Sequence, residues 1–226
     1  MTGRIAHHPR KRIVRWVAKG LVDLIMPIVT KPCIIGRENI PAYGPLLVVC
    51  NHFHIVDPVI VIGVLPWPPE FLGDAEMPNT PKSAKVFPDL YAPYRISPNK
   101  PNYESLKAGE QTLNQGGVLG IFPEGTPKPG RLRPVQPGAA LLALRTGVRI
   151  LPMSLVSEDN WDIFGVPWRE KRRMRFTMRI GKIFGPLVCP NPHRPSHEEI
   201  HGAQLRIHSE IAALLPPKFG GTLHFG

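Results

Sequence analysis

The chain has 226 residues, 42% of them hydrophobic, which suits one sizeable α/β domain and leaves too little chain for two. Its 28 lysines and arginines outnumber 17 acidic residues, and the formal net charge of +11 favours partners that carry phosphate. The three cysteines are far apart and form no CxxC pair, which argues against a disulfide framework or a cysteine zinc site and favours a reducing compartment.

The first predicted element is a basic amphipathic helix within residues 1–30. Charged side chains recur along one stripe of it: Arg12, Arg15, Lys19 and Asp23. Apolar side chains fill the remainder: Ile13, Trp16, Val17, Leu21, Leu24 and Ile25. Charged residues and Pro27 keep the apolar part short of the ~18 uncharged residues that a spanning helix needs, and no small-residue cleavage site follows. Such a helix suits a membrane surface; docking on its own domain is an equal alternative.

Strand-like and helix-like segments then alternate along the chain. Strands are predicted at residues 46–50, 70–74, 117–122, 149–156 and 174–184, and helices at 58–65, 102–116, 138–147 and 196–215. A proline-rich and polar segment, residues 77–102, is predicted to be a long loop. The alternation predicts that residues 31–226 form a single α/β domain, with a mixed, mostly parallel central sheet flanked by helices.

Two of the predicted strands run directly into polar residues. The stretch LLVVC leads into Asn51 and His52, and GVLGIF leads into Pro-Glu-Gly-Thr at residues 123–126. Ligands of parallel sheets bind outside the carboxyl ends of the strands. Both exits are therefore expected at the same edge of the sheet.

His52 and Asp57 are candidate acid–base partners. Five positions on one regular helix would leave their side chains ~140° apart, so they can meet only if the chain turns between them. The sequence Asp57-Pro58 suggests such a turn, and equally allows Asp57 to be only a helix N-cap. A metal site that adds His54 has no carboxylate or cysteine cluster to support it. Cys50 is interpreted as a small apolar residue of a buried strand.

The motif FPEGT, residues 122–126, places backbone amides, a carboxylate and a hydroxyl after a buried strand. Gly125 permits a close approach of a ligand to the backbone. The cations that follow, Lys128, Arg131 and Arg133, could hold a phosphate; the alternative is a solvated basic turn. A competing motif, HEEIH at residues 197–201, matches the zinc-peptidase pattern HExxH. Ser196 and Glu199 form a capping box there, which favours an ordinary helix start.

The order NHxxxxD then FPEGT resembles the glycerolipid acyltransferase family, typified by the 1-acyl-sn-glycerol-3-phosphate acyltransferases, over roughly residues 36–156. The resemblance implies that His52 is a general base for an acceptor hydroxyl and that Asp57 orients it. The hydroxyl would attack the thioester of an acyl-CoA or acyl-carrier-protein donor. Glu124 and Gly125 would help bind a glycerol-phosphate acceptor. Neither a metal, another cofactor nor a covalent acyl-enzyme is expected.

The sequence departs from the family pattern in both of the phosphate-binding motifs. Pro127 stands where the family usually has an arginine, and the middle motif is represented by YRISPNKPN, residues 94–102. The substrate-binding residues expected from the resemblance are therefore Glu124, Gly125, Thr126, Arg95, Lys100, Lys128 and Arg131. The expected acceptor is a lysophospholipid, 1-acyl-sn-glycerol-3-phosphate above others, and another hydroxylated lipid is the alternative.

The expected partners are an anionic membrane surface, the lysophospholipid acceptor and the thioester donor. The expected location is the cytoplasmic face of the cell membrane, as a peripheral or monotopic protein. No nucleic-acid-binding motif is recognisable, so nucleic acid is not an expected partner. A basic membrane-binding module without catalysis is the remaining alternative.

Overall fold

A seven-stranded sheet with helices on both faces makes up the part of the chain that the computed structural model describes, residues 12–74, 91, 94–96, 103–157, 159 and 165–223. Its strands are β1 (Thr30–Ile35), β2 (Leu46–Cys50), β3 (Glu70–Asp74), β4 (Tyr94–Ile96), β5 (Val118–Ile121), β6 (Arg149–Ser157) and β7 (Met174–Ile180). Its helices are α1 (Arg12–Val29), α2 (Asp57–Val64), α3 (Tyr103–Asn114), α4 (Pro137–Thr146), α5 (Gly165–Glu170) and α6 (His197–Ala212).

The strands lie in the order β1-β7-β6-β2-β5-β3-β4, and each neighbouring pair is parallel except β6 with β7. Strand β2 sits in the middle and all five of its residues are buried, as expected for a parallel strand covered on both faces. Its alternate side chains enter two different cores. Val48 and Cys50 join the core beneath α1 and α2, and Leu47 and Val49 join the core that contains α4 and α6 residues.

The predicted α/β fold and its mostly parallel sheet are confirmed. The predicted strand at residues 174–184 ends at Ile180, and Phe184 forms an isolated antiparallel bridge with Ile150. Strand β1 and helix α5 were not predicted; β1 contains Pro32, which an edge strand tolerates because one side of it makes no ladder. Most of the predicted loop, residues 77–102, lies outside the described residues, and within it residues 94–96 form β4.

Candidate active site

The two polar strand exits meet at one edge of the sheet, as predicted. Strands β2 and β5 are parallel neighbours, so their carboxyl ends lie side by side. The segments that follow the two strands are joined directly, because the backbone N–H of His52 donates to Oε1 of Glu124 at 2.7 Å. Both residues are buried. The sheet therefore places a histidine and a carboxylate together in a largely enclosed site.

His52 and Asp57 form a hydrogen-bonded pair. Their Nδ1 and Oδ2 atoms are 2.9 Å apart, and Asp57 is fully buried. The same Oδ2 accepts the backbone N–H groups of Phe53 and His54, each at 2.8 Å. A carboxylate that accepts from Nδ1–H fixes the imidazole in the tautomer whose Nε2 lone pair is available for a proton.

The alternative role of Asp57, a plain helix N-cap, is wrong. Helix α2 begins at Asp57, its N-cap is Val56, and no side chain caps it. The carboxylate turns back toward the preceding loop, where it binds two amides and the His52 ring. Pro58 takes the first turn of the helix, where its missing N–H costs nothing. The chain reversal between β2 and α2 is thus what brings His52 and Asp57 together.

The His52 ring is held in place by aromatic stacking on one of its faces. The ring stacks on Phe122 with the centroids 4.2 Å apart and the planes 25° apart. Phe122 in turn stacks on Phe71, at 5.8 Å and 6°. Only 7% of His52 is exposed to solvent, so the imidazole has little freedom to rotate away from Asp57.

Glu124 braces the loop after β5 against His52. Its Oε1 accepts from the His52 amide, and its Oε2 accepts from the Arg133 backbone N–H at 2.9 Å and the Arg133 Nε–H at 3.3 Å. Burial raises the pKa of the Glu124 carboxyl, and the hydrogen bonds and charge of Arg133, with the His52 amide, lower it in part. Arg133 also donates to the carbonyl of Thr126.

The structure describes most of the remaining predicted binding residues, and four of them lie on the loop that follows Glu124. Gly125 has φ +86°, a conformation that favours glycine. Thr126, Lys128 and Arg131 are exposed on the same loop, and the Lys128 amide donates to the His52 carbonyl at 3.1 Å. Arg95 lies in β4, the outermost strand on that side. Lys100 lies outside the described residues.

Asn51 is a site residue whose contacts sequence reasoning did not foresee. Its side-chain nitrogen donates to the Leu155 carbonyl at 2.9 Å, and its side-chain oxygen accepts the Leu155 amide at 2.7 Å. Leu155 belongs to β6, so Asn51 fastens the end of β2 to the neighbouring strand just before His52. The only sequence signal for a role of Asn51 is its place before the histidine in the NHxxxxD motif.

The competing nucleophile and metal candidates gain no support. Burial, followed by the charges of Asp57 and Glu124, raises the pKa of the Cys50 thiol well above its ordinary value, which disfavours the thiolate. The capping box of Ser196 and Glu199 is confirmed. Among the residues that the structure describes, no three His, Cys, Asp or Glu side chains are grouped as metal ligands would be.

Helix α1 presents its large apolar side chains to solvent and two residues of its charged stripe to the domain, whereas Arg12 and Asp23 are exposed. The buried face includes Arg15 and Lys19. Arg15 pairs with Glu70 at 3.1 Å, where both side chains are at most 2% exposed, and Lys19 donates to the Ile62 carbonyl at 3.3 Å. Large apolar side chains between 45% and 79% exposed cover the outer face: Ile13, Trp16, Val17, Leu21, Leu24, Ile25 and Ile28. No helix within the described residues has the length and apolar content to cross a bilayer.

Comparison with known proteins agrees with the motifs. The profile of the family described as Acyltransferase matches residues 31–156, more than half of the chain. The chain is similar to the 1-acyl-sn-glycerol-3-phosphate acyltransferases of Borreliella burgdorferi, 31% identical over 59% of this chain and 54% of that protein, and of Bacillus subtilis, 25% identical over 52% and 58%. It thus spans about half the length of these curated relatives.

A solved structure with the same fold is the crystal structure of the 1-acyl-sn-glycerophosphate (LPA) acyltransferase PlsC from Thermotoga maritima. It superposes with a TM-score of 0.60 at 19% identity, over 93% of this chain and 85% of that one. At this identity the likeness concerns the fold alone. Together with the family profile and the two motifs in order, it leads to one conclusion: the chain belongs to the acyltransferase family.

Proposed function

We propose that the protein transfers a fatty acyl group from an acyl thioester, acyl-CoA or acyl-carrier protein, to the hydroxyl of a lysophospholipid, above others 1-acyl-sn-glycerol-3-phosphate. The observation that carries the proposal is the buried His52–Asp57 pair at the sheet edge, with Nδ1 and Oδ2 2.9 Å apart. Family membership and the names of the two bacterial relatives support the same reaction.

In the proposed reaction His52 acts as general base. Its Nε2 takes the proton of the acceptor hydroxyl as the oxygen attacks the thioester carbonyl carbon. The carboxylate of Asp57 stabilises the imidazolium that forms. Collapse of the tetrahedral intermediate breaks the carbon–sulfur bond, and the departing sulfur takes the proton from Nε2 to leave as a thiol. The products are an ester and a thiol, and no metal or covalent acyl-enzyme is required.

Glu124 acts in this proposal as a positioning residue. Both of its oxygens are engaged by His52 and Arg133, and it is 3% exposed, so its carboxylate holds the base and the loop, while Glu124 and Gly125 stay predicted acceptor-binding residues. The exposed members of that loop, Thr126, Lys128 and Arg131, contact the acceptor head group, with Arg95 and Lys100 as further candidates. Pro127 stands where the family usually has a phosphate-binding arginine. The head group of the acceptor is therefore tested with a broad panel of lysolipids.

The outer face of α1 rests on the membrane in this proposal. Exposed Trp16, Leu24 and Ile28 would enter the head-group region, and the net charge of +11 favours anionic lipid. Residues 1–30 then form the membrane-association segment and residues 31–226 the acyltransferase domain. The proposed location is the cytoplasmic face of the cell membrane, with the protein bound peripherally or monotopically.

The decisive experiment measures thiol release from palmitoyl-CoA in detergent micelles, with and without lysophosphatidic acid. We expect release that depends on the acceptor and falls by about 10²- to 10⁴-fold in His52→Ala. The matched control is His201→Ala, an exposed histidine of α6 from the HEEIH motif, which should match wild type. A wild-type protein inactive with every lysolipid, and with both thioester donors, would refute the proposed function.

A further inference from the structure

A basic groove runs along the outer half of the sheet, on β1 and β7. It has a volume of about 750 Å³, and four of its lining residues are cations: Lys31, Arg175, Arg179 and Lys218. None of the described residues that line it is acidic. Asp159 accepts from the backbone amide of Arg175, a lining residue, at 2.7 Å, and its carboxylate is paired with two N–H groups of Arg172 at 2.7 and 2.8 Å. The groove therefore suits an anionic ligand.

The groove extends to the edge of the sheet where the candidate active site lies, because Lys31, Arg175 and Val156 are at that end of their strands. Strand β7 is antiparallel to β6, so its first residues lie beside the end of β6; Phe176 is aligned with Ser157. Phe219, in the groove wall, packs on Phe53 with ring centroids 5.8 Å apart, and its carbonyl accepts the Leu132 amide at 2.9 Å. One wall of the groove is thus in contact with the residue that follows His52.

The groove and helix α1 lie on opposite faces of the sheet. Phe176 and Met178 of β7 point into the core shared with α1 residues. Side chains alternate along a strand, so Arg175 points to the other face, and Lys31, aligned with it in β1, does the same. A ligand that approaches this groove comes from the side away from the apolar face of α1.

We propose that this groove binds the phosphate groups at the far end of the donor's pantetheine arm, an inference that rests on the proposed function. Both donor classes are water-soluble anions and carry a phosphate beyond the pantetheine that bears the thioester. The lipid acceptor would arrive from the α1 side, whereas the groove faces away from it. Val156 and Phe219 provide apolar surface beside the cations, which suits the arm itself.

The test compares wild type with the double variant Lys31→Gln/Arg175→Gln on three donors: palmitoyl-CoA, palmitoyl-carrier protein and S-palmitoyl-pantetheine, which has no phosphate. Both side chains are exposed on strand surfaces, so the fold should be retained. We expect the KM for palmitoyl-CoA to rise about tenfold or more. The KM for lysophosphatidic acid and the kcat should stay as in wild type, and turnover of S-palmitoyl-pantetheine should be equal in both proteins. The control is Arg149→Gln, an exposed arginine at the opposite end of β6.

A rise in KM with both phosphate-bearing donors assigns the shared phosphate to the groove, and a rise with palmitoyl-CoA alone assigns the nucleotide phosphates; both support the inference. An unchanged KM, a rise for the carrier protein alone, a rise for the lysolipid, or an equal loss with S-palmitoyl-pantetheine would overturn it. In those cases an active wild type leaves the proposed function standing. A wild type inactive with all three donors is the separate failure of that function.

Discussion

Replacing Asp57 with asparagine separates the charge of the carboxylate from its hydrogen bonds. Oδ2 accepts two backbone amides at 2.8 Å and the His52 ring at 2.9 Å. In Asp57→Asn the amide oxygen must take this place, because an NH₂ group there would face two N–H donors. The NH₂ group then replaces Oδ1, which is buried without a hydrogen-bond partner among the described residues. His52 keeps its tautomer but loses the neighbouring negative charge.

The expected loss in rate follows from that geometry. A hydrogen bond to a charged group contributes about 1.5–3 kcal/mol, and a neutral one about 1 kcal/mol. Because Asp57 is fully buried, the difference belongs near the upper end, at about 2 kcal/mol, which lowers kcat about 30-fold. The variant Asp57→Ala should be slower and also less stable, because the amides of Phe53 and His54 lose their acceptor, at about 1–3 kcal/mol for each.

The assay is kcat for thiol release at saturating donor and acceptor, with thermal unfolding of each variant. The exposed Glu38→Gln is the matched control for loss of one negative charge. An Asp57→Asn enzyme as slow as His52→Ala would show that the tautomer had changed and would refute the orientation argument. Wild-type kcat in Asp57→Asn would instead show that the charge has no part in the reaction.

Three further outcomes are expected. Glu124→Gln should lower the free energy of unfolding by about 2–3 kcal/mol and the Tm by about 4–12 °C in a thermal melt, because a buried carboxylate with three recorded hydrogen bonds becomes a neutral amide. The pair Leu24→Glu and Ile28→Glu should weaken sedimentation with anionic vesicles about tenfold or more. The Arg172 hydrogen bond lowers the pKa of Asp159 from 3.8 to about 2, so its stabilisation is present above the unfolded pKa and is lost as pH falls toward 2; Asp159→Asn should flatten stability against pH over that window in acid denaturation.

Each of these outcomes has a control and a contrary result. Glu38→Gln should leave the Tm unchanged. A wild-type Tm for Glu124→Gln would mean that the hydrogen bonds of the Glu124 carboxylate add nothing to stability. Leu205→Glu, on the exposed side of α6, should leave vesicle binding as it is; unimpaired binding in the α1 variant would contradict the membrane proposal. An Asp159→Asn protein with the wild-type acid profile would show that the Arg172 contact does not affect stability.

The parts of the site that sequence could predict are those fixed by strand ends and short spacings. Two buried strands that run into NH and PEGT were enough to place His52 and Glu124 at one edge, because the carboxyl ends of parallel neighbours coincide. The direct bond between them was beyond reach, since it depends on the loop conformation around Gly125. The bond from Asn51 to Leu155 joins residues 104 apart in sequence, a pairing that only the strand order reveals.

Helix α1 shows a different limit. Its periodicity predicts the apolar face, which the structure exposes, but does not tell whether the helix docks on the domain or meets a membrane. Charged side chains ordinarily face solvent, yet Arg15 and Lys19 are buried here, because Arg15 pairs with Glu70 and Lys19 donates to the Ile62 carbonyl of α2. No local rule assigns a partner 55 residues away. The structure confirms docking on the domain and leaves the apolar face on the outside.

The burial of Arg15 against Glu70 has a practical consequence for handling the protein. Deleting α1 to obtain a more tractable enzyme would remove Ala18 and Val22 from the core and break the buried ion pair of Arg15 with Glu70. Such a shortened chain should aggregate rather than become more soluble, because fresh apolar surface on α2 replaces what was removed. Polar replacements on the outer face, at Leu24 and Ile28 for example, would preserve the fold. A purification strategy for this protein should therefore keep helix α1 and replace apolar residues of its outer face with polar ones.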